Sequence, residues 1–409
     1  MDIAAESYVK LALAVGQHDP DFVDAYYGPV AWKLEAESAP IGLAEIEQRA
    51  TALATELGNG PDADAPEIVR LRHAYLTRQL TAMIARVKML HGANLSFDDE
   101  ARALYDVTPP VNTEDHFRDL VARLEDELPG IGPVPARYVA YRNRFVVPAE
   151  RVDAVFQAAI AAGRERTSRH IALPPDESFV VEYVRDRPWS GYNWYKGDFH
   201  SVIQVNIGLP IYIDRAIDLA CHEGYPGHHV YNVLLERHLV RERGWLEFAI
   251  YPLFSPQSLI AEGSANHGID MAFPNAERVT FERDMLFPLA GLPGTEAEEY
   301  YRVQDLVHQL SYAGNEAARR YLNGEIDAAA AVDWLERYAL MAPAAAQQRI
   351  SFFDRYRSYV INYNVGQDLV KAYVERVAGP NAMPEDRWRA FAALLASPRL
   401  PSNLQRSVE

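Results

Sequence analysis

The sequence is poor in cysteine, in long apolar runs and in positive charge. Its one cysteine, Cys221 among 409 residues, cannot close an internal disulfide. No run approaches the roughly 20 apolar residues that cross a bilayer, and residues 1–15 lack the basic start and apolar core of a secretion signal. A net charge of −17 would repel nucleic acid over most of the surface. We therefore expect a soluble, cytoplasmic protein that binds neither nucleic acid nor membrane.

The apolar residues are spaced three and four apart over most of the chain, which predicts a mainly α fold. Breakers rich in Pro and Gly separate the segments, and no low-complexity linker or tandem repeat interrupts them. The predicted helices are 43–57, 68–90, 114–128, 151–168, 296–322, 326–340, 344–353 and 359–377. We expect two lobes around a cleft: residues 1–175 form a helical lobe that closes one side, and residues 176–409 form the catalytic lobe.

Near residue 178 the period changes to two, which predicts a small β-sheet. Residues 179–184, 192–195 and 201–207 have the alternation of strands. Residues 202–206 are our candidate for an edge strand that holds a peptide substrate by sheet pairing.

The stretch with the most candidate functional side chains follows this sheet and contains His222, Glu223, His228 and His229. The preceding run, residues 211–220, is amphipathic and places His222 on its polar side. Two imidazoles and a carboxylate can hold zinc with one position open to water, and such a water becomes a nucleophile near neutral pH. Glu223, next to the first ligand, can reach that water as general base.

The second zinc ligand is less certain from the residues alone, because Pro226 and Gly227 interrupt the helix. In an unbroken helix His229 would lie about 10 Å along the axis from His222, too far to share one ion. The familiar zinc motif H-E-x-x-H has its second histidine four positions after the first, so His228 stands two residues too far along. If these two extra residues form a bulge, His228 returns to the ligand position and His229 lines the cleft, although the geometry could also reverse them. Cys221, on the apolar side, is expected in the core.

These residues carry a family resemblance. His222-Glu223-x-x-Pro226-Gly227-His228-His229, followed by Glu262-Gly263-x-Ala265, resembles the HExxPGHH and EGWA motifs of a bacterial family of unassigned domain function. That family is similar to helical zinc peptidases of the thimet oligopeptidase, angiotensin-converting-enzyme and carboxypeptidase Taq type. The resemblance covers about residues 180–375 and departs at Ser264, where the family has Trp. It implies a zincin-like fold.

The resemblance also implies that Glu262 is the third metal ligand. The local sequence agrees with a helix there, because Ser255 can cap it and Pro256 suits its first position. A carboxylate between apolar neighbours is costly to bury unless it is paired or binds a metal. Gly263 would let a second helix approach closely.

A further group of candidates lies near the C-terminus. Tyr359 and Tyr363 stand four apart on one helix face, where a phenol could stabilise an oxyanion, although such a pair is also typical of a core. The family's Tyr-x-x-Gly-Gln run favours Tyr363. Arg355 and Arg357 are the basic residues near it, and either could bind the C-terminal carboxylate of a peptide, unless both pair with acidic neighbours.

The sequence therefore predicts a zinc metallopeptidase. It would cleave amide bonds of short peptides, as a carboxypeptidase or dipeptidyl-carboxypeptidase. His222, His228 and Glu262 would bind zinc, while Glu223 and Tyr363, with His229, would act in catalysis. The alternatives are a zinc hydrolase of a non-peptide amide or ester, and a non-catalytic metal-binding relative.

Overall fold

The computed structural model of the protein describes residues 1–187 and 189–405. Residues 406–409, the end of the second predicted lobe, lie outside this range. In the first half of the chain the helices are α1 Asp2–Val15, α2 Val30–Ser38, α3 Leu43–Leu57, α4 Glu67–Leu90, α5 Phe97–Tyr105, α6 Glu114–Glu127, α7 Val134–Arg142 and α8 Val152–Ser168.

The second half is also helical. Its helices are α9 Asp214–Leu219, α10 His228–Leu235, α11 Pro256–Ala272, α12 Asn275–Phe281, α13 Phe287–Ala290, α14 Ala297–Gln309, α15 Ala313–Leu322, α16 Ala328–Tyr338, α17 Pro343–Tyr356, α18 Ile361–Ala378, α19 Pro384–Leu395 and α20 Pro401–Gln405. The mainly α fold is thus confirmed. None of the described helices is long and apolar enough to cross a membrane.

One predicted helix, residues 296–322, is divided. A 3-10 turn at Leu310–Tyr312 separates α14 from α15. The side-chain amide of Asn364 donates to the carbonyl oxygen of Ser311 at 3.2 Å, which gives this carbonyl a partner outside the helix.

Two small sheets complete the fold. Strands β2 Ser178–Val184, β3 Gly191–Gly197 and β4 His200–Asn206 form the larger one in the order β2-β4-β3. β4 runs parallel to β2 and antiparallel to β3, so residues 202–206 lie in its centre. The prediction that they form an edge strand is therefore wrong, since both of their hydrogen-bonding sides are occupied. The edge strand β3 contacts the histidine motif, since the side-chain amide of Asn193 donates to the carbonyl oxygen of Glu223.

The second sheet joins the N-terminal part of the chain to a segment beyond residue 175. Strand β1, Val23–Tyr26, pairs antiparallel with β5, Ile250–Pro252. A continuous hydrophobic core also contains buried residues from both sides of residue 175, such as Val9 and Val370. The division into two lobes at residue 175 stays a prediction.

The crossing of α11 and α18 depends on two glycines. A Cβ added to Gly263 would lie 2.3 Å from the carbonyl carbon of Gly366, and one added to Gly366 would lie 2.6 Å from the carbonyl oxygen of Leu259. Both obstacles are backbone atoms, which no side-chain rotation can move. The predicted close approach at Gly263 is confirmed, and it places α18 directly against the helix that carries Glu262.

We expect Gly263→Ala to lower the free energy of unfolding by about 1–3 kcal/mol or more, because the two helices must separate. Gly314→Ala is a matched control, since Gly314 is the second residue of α15 and a Cβ there meets nothing within 4 Å. It should be neutral or stabilising by up to about 1 kcal/mol. Denaturant unfolding of both variants measures the difference, and equal effects would contradict the proposed helix contact.

Candidate metal centre

The helix that begins as α9 changes its winding where the histidine motif begins. Residues Ala220–Gly224 form a π-helical turn, Tyr225 is extended, and a new helix starts at His228. The amide of Gly227 donates to the carbonyl oxygen of Cys221 at 2.8 Å. A Cβ on Gly227 would lie 1.9 Å from the carbonyl oxygen of His222, so only glycine fits. The predicted irregularity around Pro226 is confirmed. However, the helix ends at Gly224 and a new one begins at His228, so there is no single helix with a bulge.

This break brings His222 and His228 together beside Glu262 of α11. The Nε2 atoms of the two histidines are 3.1 Å apart. Glu262 Oε2 is 3.3 Å from Nε2 of His222 and 3.7 Å from Nε2 of His228. Ligands about 2.0–2.2 Å from a tetrahedral zinc stand about 3.3–3.6 Å apart. The three side chains could therefore hold a metal ion.

An unsatisfied acceptor supports this fit. Glu262 is 7% exposed, and its Oε2 atom is buried without a hydrogen-bond partner among the described residues. A buried carboxylate oxygen without a donor is costly. A cation between Glu262 and the two histidines would satisfy it.

Neighbouring side chains orient two of the three groups. His222 Nδ1 is 2.9 Å from Oδ1 of Asn266, which leaves Nε2 directed at the other two groups. Tyr359 donates from its hydroxyl to Glu262 Oε1 at 2.7 Å. Such outer contacts fix the ring and carboxylate of metal ligands. Asn266 lies four residues after Glu262 on the same helix, but the local sequence carries no signal for its role because only the fold places it beside His222.

The charges at this centre act on one another. Burial alone would raise the pKa of Glu262, but the His228 and His222 rings hold it well below its usual range. Burial alone would lower the pKa of His222, yet its contact with Glu262 and the charge of Glu223 raise it to about 9. The cluster therefore attracts a positive charge, either a proton or a metal ion.

Glu223 follows His222 in the π-helical turn and is 5% exposed. No side chain or amide in the described parts of the chain donates to its carboxylate. Gly191 of β3 lies close by, since a Cβ there would be 3.0 Å from Glu223 Oε1. Asn193 Nδ2 donates to the Glu223 carbonyl oxygen at 2.7 Å and fixes the backbone. The carboxylate is thus free to accept a hydrogen bond from water.

The structure does not bring His229 to this centre. Its ring is fully buried, with Nδ1 2.9 Å from the Ser201 hydroxyl and Nε2 2.9 Å from Glu177 Oε2. Glu177 also accepts hydrogen bonds from Tyr225 and Arg164, and these three contacts outweigh burial and lower its pKa to about 2. Because both ring nitrogens are engaged, the expectation that His229 lines the cleft and stabilises an oxyanion does not fit its position.

The two tyrosines of the α18 region have different surroundings. Tyr359 is buried and its hydroxyl is engaged by Glu262. Tyr363 is half-buried, and its hydroxyl has no partner among the residues described. Burial raises the pKa of Tyr363, and the charges of Glu262 and Glu223 raise it further. Tyr363 is therefore a neutral phenol beside the centre that is free to donate.

Two other sequence candidates, both arginines, have acidic partners. Arg355 donates two hydrogen bonds, of 2.7 and 2.6 Å, to Asp21, and Arg357 donates to Glu100 at 2.6 Å. Neither guanidinium is free to bind a substrate carboxylate. Cys221 is buried as expected, and burial raises the pKa of its thiol.

A carboxyl group from the N-terminal part of the chain also faces this region. Asp24 of β1 accepts a hydrogen bond from the hydroxyl of Tyr192 on β3. Burial, followed by the charges of Glu262 and Glu223, raises its pKa to about 7. Residues 1–175 carry no motif, so the sequence offered no signal for this group.

Comparisons with known proteins agree with the fold. No protein-family model matches the chain, and no curated protein matches its sequence. A solved candidate lipoprotein from Colwellia psychrerythraea is 14% identical with a TM-score of 0.56, over 91% of this chain and 73% of that one. A second one, of unknown function, from Shewanella oneidensis is 11% identical with a TM-score of 0.45, over 89% and 76%. The M32 carboxypeptidase from Deinococcus radiodurans R1 is 15% identical with a TM-score of 0.36, over 96% and 88%. The first likeness concerns the fold alone, and none assigns an activity to this chain.

Proposed function

We propose that this protein is a zinc-dependent hydrolase that cleaves amide bonds of short peptides, as a carboxypeptidase or dipeptidyl-carboxypeptidase. One arrangement carries the proposal: three ligand atoms lie within 4.8 Å of one another, and Glu223, next to His222 in sequence, is a buried carboxylate without a donor among the described residues. A site that only stored metal would not need this free base.

His222, His228 and Glu262 would hold the metal. Zinc in such a site supplies a positive charge that lowers the pKa of a water to about 7 and polarises a carbonyl. The donor set of two imidazoles and one carboxylate is typical of catalytic zinc, because it leaves one position open.

The remaining steps fall to residues of the chain. Glu223 accepts a proton from the attacking water and later delivers it to the nitrogen of the leaving amine. Tyr363 donates its hydroxyl proton in a hydrogen bond to the carbonyl oxygen as negative charge develops there. We assign no catalytic role to His229, whose nitrogens are both occupied in the core.

The substrate would bind along β3. This strand is an edge of its sheet in the described structure, and its first residue, Gly191, is the one beside Glu223. An extended peptide can add to such an edge by main-chain hydrogen bonds. Short peptides are therefore the proposed substrates. The cytoplasm as their location, and the lack of a role for nucleic acid or membrane, are proposals from the composition of the sequence.

We expect Tyr363→Phe to lower kcat by about 10²- to 10³-fold with little change in zinc content, because one oxyanion donor is lost. Tyr359→Phe is the matched comparison. It removes the hydrogen bond to Glu262 and should weaken zinc affinity by about 10- to 100-fold. Steady-state kinetics and metal titration of the pair separate the two roles, and a native kcat in Tyr363→Phe would remove it from the mechanism.

A digest of a peptide mixture tests the function itself. The purified protein is assayed as isolated, after chelation, and after zinc is restored, with products identified by mass spectrometry. We expect cleavage that is lost with the metal and recovered with zinc. If zinc-loaded protein cleaves no peptide, the peptidase proposal fails.

A further inference from the structure

The carboxylate of Asp24 differs from those of the other two aspartates in its segment. Asp19 forms an ion pair with Arg86, with a nitrogen–oxygen distance of 2.7 Å, and Asp21 forms one with Arg355 at 2.6 Å. Asp24 has no basic partner in the described parts of the chain. A carboxylate that is partly withdrawn from water is costly without a compensating charge, and Asp24 lacks the cation that its two neighbours have.

Two strands place Asp24 beside the candidate metal centre, and the first of them is β3. The hydroxyl of Tyr192 donates to Asp24, and the residues on either side of Tyr192 both contact Glu223. Nδ2 of Asn193 donates to the Glu223 carbonyl oxygen at 2.7 Å, and a Cβ on Gly191 would lie 3.0 Å from Glu223 Oε1. Asp24 is therefore held at the end of β3 that contacts the proposed general base.

The second strand, β5, joins Asp24 to the helix of the metal ligand. Ala25, the next residue of β1, pairs with Tyr251 of β5. The hydroxyl of Tyr251 donates to Oγ of Ser258 at 3.2 Å, and Ser258 lies about one helical turn before Glu262 on α11. A peptide that adds to β3 with its reacting carbonyl at the centre would lie beside this carboxylate.

The charges around Asp24 agree with this position. Burial and then the charges of Glu262, Glu223 and Asp21 raise its pKa to about 7, and no basic group acts against them. Three carboxylates that surround a fourth attract a cation, because each of them is stabilised by it. The place that a positively charged group would occupy is thus next to Asp24.

We propose that Asp24 is a cation-binding subsite beside the metal centre and receives a positively charged nitrogen of the peptide substrate. This inference rests on the proposed function and names the class of peptide that is recognised. Oδ1 of Asp24 accepts the hydrogen bond from Tyr192, which orients the carboxylate and leaves Oδ2 for the substrate. An N-terminal ammonium and a lysine side chain have the same chemistry, so the test has to separate these two sources.

The test measures binding without turnover, by calorimetry on the zinc-loaded Glu223→Gln protein. Two pairs of probes are compared: trialanine with acetyl-trialanine, and acetyl-Lys-Ala-Ala with acetyl-norleucyl-Ala-Ala. Each pair differs in one positive charge. We expect the charged member of one pair to bind about 10- to 100-fold more tightly than its neutral partner, as for a hydrogen-bonded charge pair. A preference for trialanine assigns the subsite to the N-terminal ammonium, and a preference for the lysyl peptide assigns it to a basic side chain.

Variants in the same background identify the residue. Asp24→Asn should bind the charged and the neutral peptide equally, and Asp24→Glu should recover part of the preference. Asp21→Asn, which removes a carboxylate that is already paired with Arg355, should keep all of it. Equal affinities within both pairs before substitution, no measurable binding of either charged peptide, or a preference that persists in Asp24→Asn would overturn the inference.

Failure of this inference can be told apart from failure of the proposed function. The calorimetric comparison needs no catalysis, whereas the peptide digest with the unaltered protein needs no preference for a charged peptide. Cleavage of charged and neutral peptides with equal kcat/KM would leave the hydrolase intact and remove the subsite. Zinc content and circular dichroism of each variant show that its centre and fold are retained.

Discussion

Replacing Glu223 by Gln is expected to lower turnover by about 10²- to 10⁴-fold and to leave zinc bound. The amide has the shape of the carboxylate but cannot accept the proton of the attacking water. The structure favours a clean result, because no described residue donates to this carboxylate and the substitution breaks no hydrogen bond of the fold. Kinetics and metal analysis on the same preparation measure both quantities.

The control for this variant is Glu242→Gln, which neutralises an exposed glutamate that pairs with His238. It should retain native turnover. If Glu223→Gln also hydrolysed peptides at the native rate, Glu223 would not be the base, and the metal would have a structural role.

The unaltered protein is expected to bind about one zinc ion per chain, and His222→Ala and His228→Ala are each expected to abolish this binding. Removing one of three ligands should lower zinc affinity by more than the 10- to 100-fold that is typical when a hydrogen-bond partner of a ligand is lost. His229→Ala is the informative comparison, since His229 is buried in the core and its ring nitrogens contact Glu177 and Ser201. It should lose stability, because Glu177 is left with one donor fewer, but it should keep its zinc.

Metal titration followed by thermal unfolding distinguishes these variants. Full zinc occupancy in His222→Ala, or loss of zinc in a folded His229→Ala, would reverse the assignment of the ligands. This comparison also resolves the choice between His228 and His229, which the sequence alone left open.

Local patterns allowed much of the fold to be predicted. Helix α3, Leu43–Leu57, and strand β2, Ser178–Val184, agree with the expected elements because spacing and breakers act within a few residues. The break at Pro226 and Gly227 was also predictable, since each residue restricts its own backbone. These predictions needed no knowledge of the tertiary contacts.

Features that depend on long-range contacts could not be predicted. The burial of His229 requires Glu177, which is 52 positions away. The central place of β4 depends on which strands pair on each side of it, and alternation alone does not give that order. Arg355 forms an ion pair with Asp21, 334 positions earlier, so the local sequence could not show that Arg355 is unavailable to a substrate carboxylate.

The most direct test of the account is the position of the bound metal. Crystals of the zinc-loaded protein, measured on both sides of the zinc absorption edge, locate the ion by its anomalous scattering. We predict one strong peak about 2.0–2.2 Å from Nε2 of His222, Nε2 of His228 and a carboxylate oxygen of Glu262. A zinc peak elsewhere in the protein, with these three side chains unbound, would contradict it.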